Sequence, residues 1–390
     1  MKKLDKLIFS TLFFSMLATV TGVGIVVPLL PVYAHTIGAN GLYIGLIFGA
    51  FSLSRALFLP YFGRLSDKKG RRPFIVIGLF AYSIISLAFM FSKDVNSLII
   101  TRFVQGVASA MLMPVIQAYI GDITPKGKEG FSMGLFNISM FFGLSLGPVI
   151  GGIINDRLSL NAAFACMGFL AFTGFLLSFF LLPPTKSEQA INFRKSPAEW
   201  KSLLHDRVIA GLFLFRFAYT FCIGIIWGFL PVVADSEFSL SSSSIGILVM
   251  LGVFISGLIQ LPMGYLADRI NKNMMIAAGG FIVVFAMFYF EWSNTPRSLF
   301  YASILFGIGG GISMPAFMAL AVLKGNKAHA MGTIMALLTL AHSIGMFSGS
   351  VLAGIMMDFS LLREAFPMGA VIMGMGVGLF FVCTYTKHGN

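Results

Sequence analysis

Charge is scarce in this chain. Only 11% of its 390 residues are Asp, Glu, Lys or Arg, while 57% are hydrophobic. A water-soluble protein carries about 25% charge to coat its surface. Mean hydropathy is +0.89, so most of the chain must face lipid or other apolar helices, which excludes the two or three soluble domains that length alone would permit. Cysteine is scarce too. Cys166, Cys222 and Cys383 stand far apart, with neither disulfide-framework nor metal-ligand spacing. His35, His205, His329, His342 and His388 do not cluster as zinc ligands. No Gly-Lys-Ser/Thr follows a glycine at phosphate-loop spacing, and no Gly-x-Ser-x-Gly elbow has a matching His and Asp. No catalytic residue, metal or cofactor is expected, and the chain does not read as an enzyme. The net charge of +12 comes from basic residues in short gaps between apolar runs. No long basic tract exists, so nucleic acid is excluded as a partner.

Apolar runs of about 20 residues are what crossing a hydrocarbon core of roughly 30 Å requires. Twelve occur, near 7–33, 42–63, 73–92, 98–121, 131–155, 160–182, 207–234, 243–266, 274–291, 298–321, 330–357 and 363–386. They lack the alternation of barrel strands. The first is too long for a cleaved signal sequence, contains Pro28 and Pro31, and shows no small-residue cleavage site. Lys and Arg orient the spans. Twenty lie at the termini and in the even-numbered loops, and four (Lys93, Arg157, Arg297 and Arg363) lie in the odd-numbered loops. Both termini are therefore expected in the cytoplasm. The loops are short, which points to a bacterial inner membrane. One longer connection, 183–206, opens with Pro183-Pro184 and separates six spans from six. The expected organisation is an N-terminal bundle over 1–182, a cytoplasmic linker over 183–206 and a C-terminal bundle over 207–390.

The halves repeat. At a shift of 201, Gly45, Gly63, Leu65 and Asp67 correspond to Gly246, Gly264, Leu266 and Asp268, and Gly106, Met113 and Pro114 correspond to Gly307, Met314 and Pro315. A shift of 202 aligns Gly143, Gly147, Asp156 and Phe164 with Gly345, Gly349, Asp358 and Phe366. Repeats in one orientation suit transporters that rock one bundle against the other around a midplane site.

The loop after span 2 runs Gly63-Arg64-Leu65-Ser66-Asp67-Lys68-Lys69-Gly70-Arg71-Arg72-Pro73. Gly63 permits close helix contact, Gly70 a tight turn, and Asp67 can pair with Arg71 or cap a helix N-terminus. This loop resembles the signature of the major facilitator superfamily, and the resemblance extends over all twelve spans. It implies an all-α integral membrane protein, with two six-helix bundles related by pseudo-two-fold symmetry. It also implies that Gly63, Asp67, Gly70, Arg71 and Arg72 form a latch made and broken during the conformational switch. The copy Gly264-Tyr265-Leu266-Ala267-Asp268-Arg269 lacks the Gly-Arg-Arg tail and should latch more weakly. Span 4 carries Leu98, Arg102, Gln105 and Gly106, similar to the family's span-4 arginine motif, whose arginine is implicated in substrate or proton coupling. Arg102 and Gln105 share one helix face, and the rival reading of Arg102 is snorkelling to the nearer interface. Span 5 carries Gly134, Gly143, Gly147, Pro148, Gly151 and Gly152. It resembles the antiporter motif, which marks exporters; its glycines strip a face bare for packing, and Pro148 allows a kink. Span 1, with Gly22, Gly24, Pro28 and Pro31, looks like the multidrug-exporter branch.

All fifteen acidic residues fall in loops or near span ends. Many exporters of this family keep a mid-membrane carboxylate in span 1 or 4 to trade a proton for a cationic drug, and this chain departs from that pattern. Arg55, Arg102 and Arg216 lie inside spans 2, 4 and 7 instead. A guanidinium keeps its charge, so it can attract an anion but not cycle a proton. His342 in span 11 is the mid-span group able to carry one, and its rival reading is packing. Arg102, Gln105, Arg55, Arg216 and His342 are thus the candidate substrate and coupling residues. The expected activity is alternating-access efflux of a small amphipathic compound in exchange for protons. The alternative is transport of an organic anion, metabolite or lipid-like zwitterion without drug specificity. A monomer is expected, with a small-molecule substrate, protons and membrane lipid as its partners.

Overall fold

The computed structural model describes residues 3–124, 129–183, 205–328, 331–359 and 362–385. Twelve of its helices are long and apolar enough to cross a membrane: α1 (Lys3–Thr36), α2 (Gly41–Lys69), α3 (Arg71–Phe91), α4 (Val95–Ile123), α5 (Glu129–Arg157), α6 (Leu160–Leu181), α7 (Arg207–Ser236), α8 (Ser242–Ala267), α9 (Lys272–Glu291), α10 (Pro296–Lys327), α11 (Met331–Phe359) and α12 (Ala365–Tyr385). The protein is an all-α, multi-pass membrane protein. Helices are what such a sequence must form, because hydrocarbon offers no partner for backbone N–H and C=O groups. With an even number of spans both ends of the chain emerge on one side, called here the terminal side; the other is the far side.

Most of the expected linker, and Lys126, Lys128, His329 and His388, lie outside the described residues. Among those described, connections are short and several helix starts are capped by side chains. Asp94 accepts from the Ser97 N–H at 2.9 Å, Ser159 from Ala162 at 3.1 Å and Asn40 from Tyr43 at 3.0 Å, which satisfies donors that a helix start leaves unpaired. A single residue, Gly70, joins α2 to α3 at φ +89°. That left-handed value is open to glycine at little cost.

Two compact units emerge from the packing. One holds α1, α2 from Ala50 onward, α3 to α6, and Ser241–Met250. The other holds Ala39–Gly49, α7, α8 from Leu251 onward, and α9 to α12. In the first, α1 packs on α5 and α6, and α3 on α4 and α6. In the second, α7 packs on α11 and α12, and α9 on α10 and α12. The repeat read from the sequence is thus a repeat of packing, helix pair for helix pair.

Asp206, just outside the α7 span, accepts from the Val208 and Ile209 N–H groups at 2.8 and 3.4 Å and from the Lys324 ammonium at 2.8 Å. Partial burial pushes its pKa up, but the Lys324 bond and charge and the two backbone donors outweigh that, so the carboxyl sits below its ordinary value. A depressed carboxyl stabilises the fold above the unfolded-state pKa of about 3.9 and loses that contribution as pH falls through the folded value. Acid titration of detergent-solubilised protein should therefore show wild type losing stability below about pH 4 more steeply than Asp206→Asn; parallel curves would remove Asp206 from the pH response.

Candidate functional site

Side-chain chemistry inside the helices gathers in two polar clusters, one in each unit. In the first unit Arg102, 3% exposed, donates to Gln105 Oε1 at 2.8 Å and lies 4.8 Å from the Phe51 ring centroid. Arg102 is the eighth residue of α4, roughly 10 Å from its far-side start at 1.5 Å per residue. Its guanidinium reaches toward Gln105, three residues deeper, and not toward the nearer interface. A cation stacked on an aromatic face and bonded to an amide replaces part of the hydration it gave up. Gln105 is fully buried, and its Nε2 has no hydrogen-bond partner among the described residues. Arg55, from the middle of α2, donates to the Met113 sulfur at 2.8 Å.

In the second unit Arg216 of α7 donates to the Met314 sulfur at 3.1 Å, contacts His342 Nδ1 at 3.2 Å, and stands 5.9 Å from the Phe317 ring. Met113 and Met314 are equivalent in the repeat, so the Met-Pro pair supplies a thioether to an arginine in both units. The arginines come from helices that are not equivalent, α2 in one and α7 in the other. Arginine has only donors, so His342 Nδ1 must accept, which assigns its ring proton to Nε2 in this arrangement.

At the terminal-side end of α2, Asp67 pairs with Arg71. Arg71 also bonds Asp122 at 3.1 Å and Ser66 Oγ at 3.0 Å, and Arg72 donates to the Phe179 carbonyl at 2.6 Å. Together these ties pin the start of α3 to α2, α4 and α6. In the second copy Asp268 forms no ion pair among the described residues, and Arg269 lies 4.0 Å from the Tyr265 ring centroid. One expectation needs correcting. Among the described residues Gly63 makes no close helix contact: a Cβ there would meet nothing within 4 Å, and Gly264 is the same. The neighbouring turn explains it, since Leu57, Pro60, Tyr61, Arg64, Leu65 and Lys68 of α2 line an open depression of about 430 Å³.

The α5 glycines do face a partner. Cβ atoms at Gly143, Gly147 and Gly151 would come within 2.9 Å of Val20, 2.5 Å of the Thr21 carbonyl and 2.8 Å of the Ile25 carbonyl, all on α1. Gly152 turns instead to α8, where a Cβ would lie 2.2 Å from the Ser242 carbonyl. A Cβ at Gly134, counted in the same stripe, would meet nothing within 4 Å among the described residues. Nine residues at 100° each put it half a turn from Gly143, on the opposite face.

Residues 12–224 and 212–390 each match the family model described as Major Facilitator Superfamily. The chain belongs to that superfamily. It is a transporter, not an enzyme. Over 95% of its length it is 32% identical to an MFS-type transporter of Methanocaldococcus jannaschii, covering 96% of that protein. It is 26% identical, over 96% of its length and 95% of the relative's, to the quinolone resistance protein NorA of Staphylococcus aureus. Among solved structures, a bacterial homologue of the human lysosomal transporter Spinster superposes with a TM-score of 0.84 at 13% identity, covering 99% of this chain and 98% of that one.

Within the major facilitator fold the five candidate residues thus divide by unit. Arg55, Arg102 and Gln105 belong to one and Arg216 with His342 to the other. Sequence reasoning missed the two methionines as arginine partners, although their repeat spacing was visible. It also missed the Phe51 and Phe317 rings, which 42 phenylalanines conceal.

Proposed function

We propose that this protein exports small amphipathic organic compounds by alternating access, in exchange for protons, and that the polar end of the substrate presents hydrogen-bond acceptors, an acidic group above all. The observation carrying this reading is the buried Gln105 Nε2, a donor without an acceptor, on the same helix face as Arg102. A buried donor left unmatched costs about 1–3 kcal/mol, which an acceptor on the substrate would recover. The apolar remainder of such a compound suits a bundle rich in Phe and Met. Export is supported by the span-5 resemblance and by the quinolone resistance relatives. A second reading, transport of an organic anion, metabolite or lipid-like zwitterion, is favoured by the three intramembrane arginines. Both place the termini in the cytoplasm of a cell whose inner membrane the protein spans, on the Lys and Arg bias. Gly63, Asp67, Gly70, Arg71 and Arg72 act in this proposal as the latch on that side.

His342 is the proton carrier in this scheme. Protonating Nδ1 is incompatible with its contact to Arg216, so a proton taken up there breaks that one contact and places two cations side by side. Proton binding and the arginine's freedom to meet a substrate are thereby linked. The test is uptake and counterflow in proteoliposomes with labelled cations, anions, zwitterions and neutral compounds, with and without a pH gradient. Preference for acidic or zwitterionic amphiphiles and acceleration by the gradient are expected; preference for quaternary amines would overturn the reading. In the same assay His342→Ala should flatten the pH dependence of transport, because the imidazole is the group that takes up the proton in this scheme. An unaltered profile would return His342 to packing.

A further inference from the structure

Two aspartates at the far-side ends of helices hold the starts of other helices, and the internal repeat relates them. Asp358, next to last in α11, accepts from the Gly41 and Leu42 N–H groups at 2.6 and 2.9 Å. Asp156, next to last in α5, accepts from the Ser242 and Ser243 N–H groups at 3.0 and 2.8 Å and from Ser243 Oγ at 2.5 Å. Asn155 donates to Ser242 Oγ at 2.8 Å beside it. Gly41 and Leu42 open α2, Ser242 and Ser243 open α8, and a shift of 201 carries one pair onto the other. Each contact joins the first half of the sequence to the second.

A carboxylate is poorly placed at the end of its own helix, where the helix dipole is negative, and well placed at the start of another. Asp156 and Asp358 therefore gain most when the helix pair is together, and each turns unfavourable to its own helix on release. Backbone packing supports the same junctions. A Cβ at Gly41 would lie 2.2 Å from the Gly354 carbonyl, one at Gly45 2.3 Å from that of Ser350, and one at Gly246 2.2 Å from that of Pro148. At the terminal-side ends of the same two helices, a Cβ at Gly63 or Gly264 would meet nothing within 4 Å among the described residues.

We propose that Asp156 and Asp358 are a symmetric pair of releasable clasps. They hold α8 on α5 and α2 on α11 at the far side, and both must let go in each transport cycle. The proposal rests on the alternating-access reading above, not on substrate class or direction.

Labelling without substrate tests it. In a chain with its three cysteines changed to serine, a single cysteine replaces Ile44 or Ile245, which are repeat-equivalent and 0% and 2% exposed. Each is probed with a membrane-impermeant maleimide from the far side. Asp156→Asn/Asp358→Asn should raise the labelling rate at both positions about tenfold, the ratio expected from losing two such charge–dipole contacts. Either single Asn variant, if the double variant fails to fold, should raise labelling at both positions to a lesser degree, since neither junction opens alone. Unchanged labelling would overturn the proposal. So would a rise confined to the junction that was altered, which is the behaviour of a static cap. Efflux of the wrong substrate class, with labelling as expected, would overturn the substrate reading and leave the clasps standing.

Discussion

Arg102→Ala should leave the protein folded and monodisperse while coupled transport falls below detection. The substitution removes a buried guanidinium whose contacts include Gln105 Oε1 and the Phe51 ring, and with it the fixed positive charge on that face of α4. A charge-assisted hydrogen bond is worth about 1.5–3 kcal/mol, so affinity for an acidic substrate should drop roughly ten- to hundredfold, and affinity for a neutral analogue much less. Arg102→Lys keeps the charge but loses the planar fork of donors, and should rescue only in part. Gln105→Ala should weaken binding in the same order of substrates, because it removes the donor that lacks an acceptor. Binding by isothermal titration and flux in proteoliposomes, measured on the same preparations, separate affinity from turnover. Normal flux in Arg102→Ala would sink the coupling role and the acidic-substrate argument together.

A comparable loss, of the fold instead of the activity, should follow from Gly147→Val and from Gly349→Val. At Gly147 even a Cβ would stand 2.5 Å from the Thr21 carbonyl and 2.7 Å from the Gly24 Cα, and at Gly349 2.1 Å from the Phe221 carbonyl. These obstacles are backbone atoms of α1 and α7, so no side chain can swing aside. Overpacking typically costs about 1–3 kcal/mol and more where neighbours cannot yield; both variants should fall at or above that range. Thermal unfolding in detergent, followed by size exclusion, should show early aggregation of both, while Gly134→Val and Gly63→Val, facing open space, should match wild type. Equal stability of all four would mean that the glycine faces are not where the helices meet.

That pairing bears on how much the sequence alone could say. The twelve spans were legible because hydropathy is summed over about 20 residues and survives local noise. Helix ends were less so: α10 runs on to Lys327 and α2 to Lys69, since polar turns outside the hydrocarbon carry no hydropathy signal. The span-5 glycines were legible as a packing face, but Gly345 and Gly349 make the same face on α11 against α7. The face is therefore a property of both repeats, and only part of it can bear on direction. Asp156 and Asp358 were visible as a repeated pair. Their partners were not, because those are backbone N–H groups at helix starts remote in sequence, and every residue but proline has one. Gly63 and Gly134 fitted their motifs by letter, yet whether a glycine faces a neighbour depends on where that neighbour lies. The arginine–methionine contacts were hidden for a related reason, as a thioether acceptor has no compositional signature in a chain with 23 methionines.

The change of shift from 201 to 202 has a genealogical meaning. Helix starts follow it: α4 at Val95 corresponds to α10 at Pro296, whereas α5 at Glu129 corresponds to α11 at Met331. If the halves descend from one duplicated six-helix gene, they have since come to differ by one codon, falling between the fourth and fifth helices of a repeat. Inside a helix, one inserted residue turns everything beyond it by 100°, which would swing the α11 glycines off α7 and Asp358 off the start of α2. In a connector the same codon leaves every helix face in register. That junction is accordingly where an engineer should place an affinity tag or a reporter domain, and the interior of α5 or α11 is where a single extra residue would undo the inheritance.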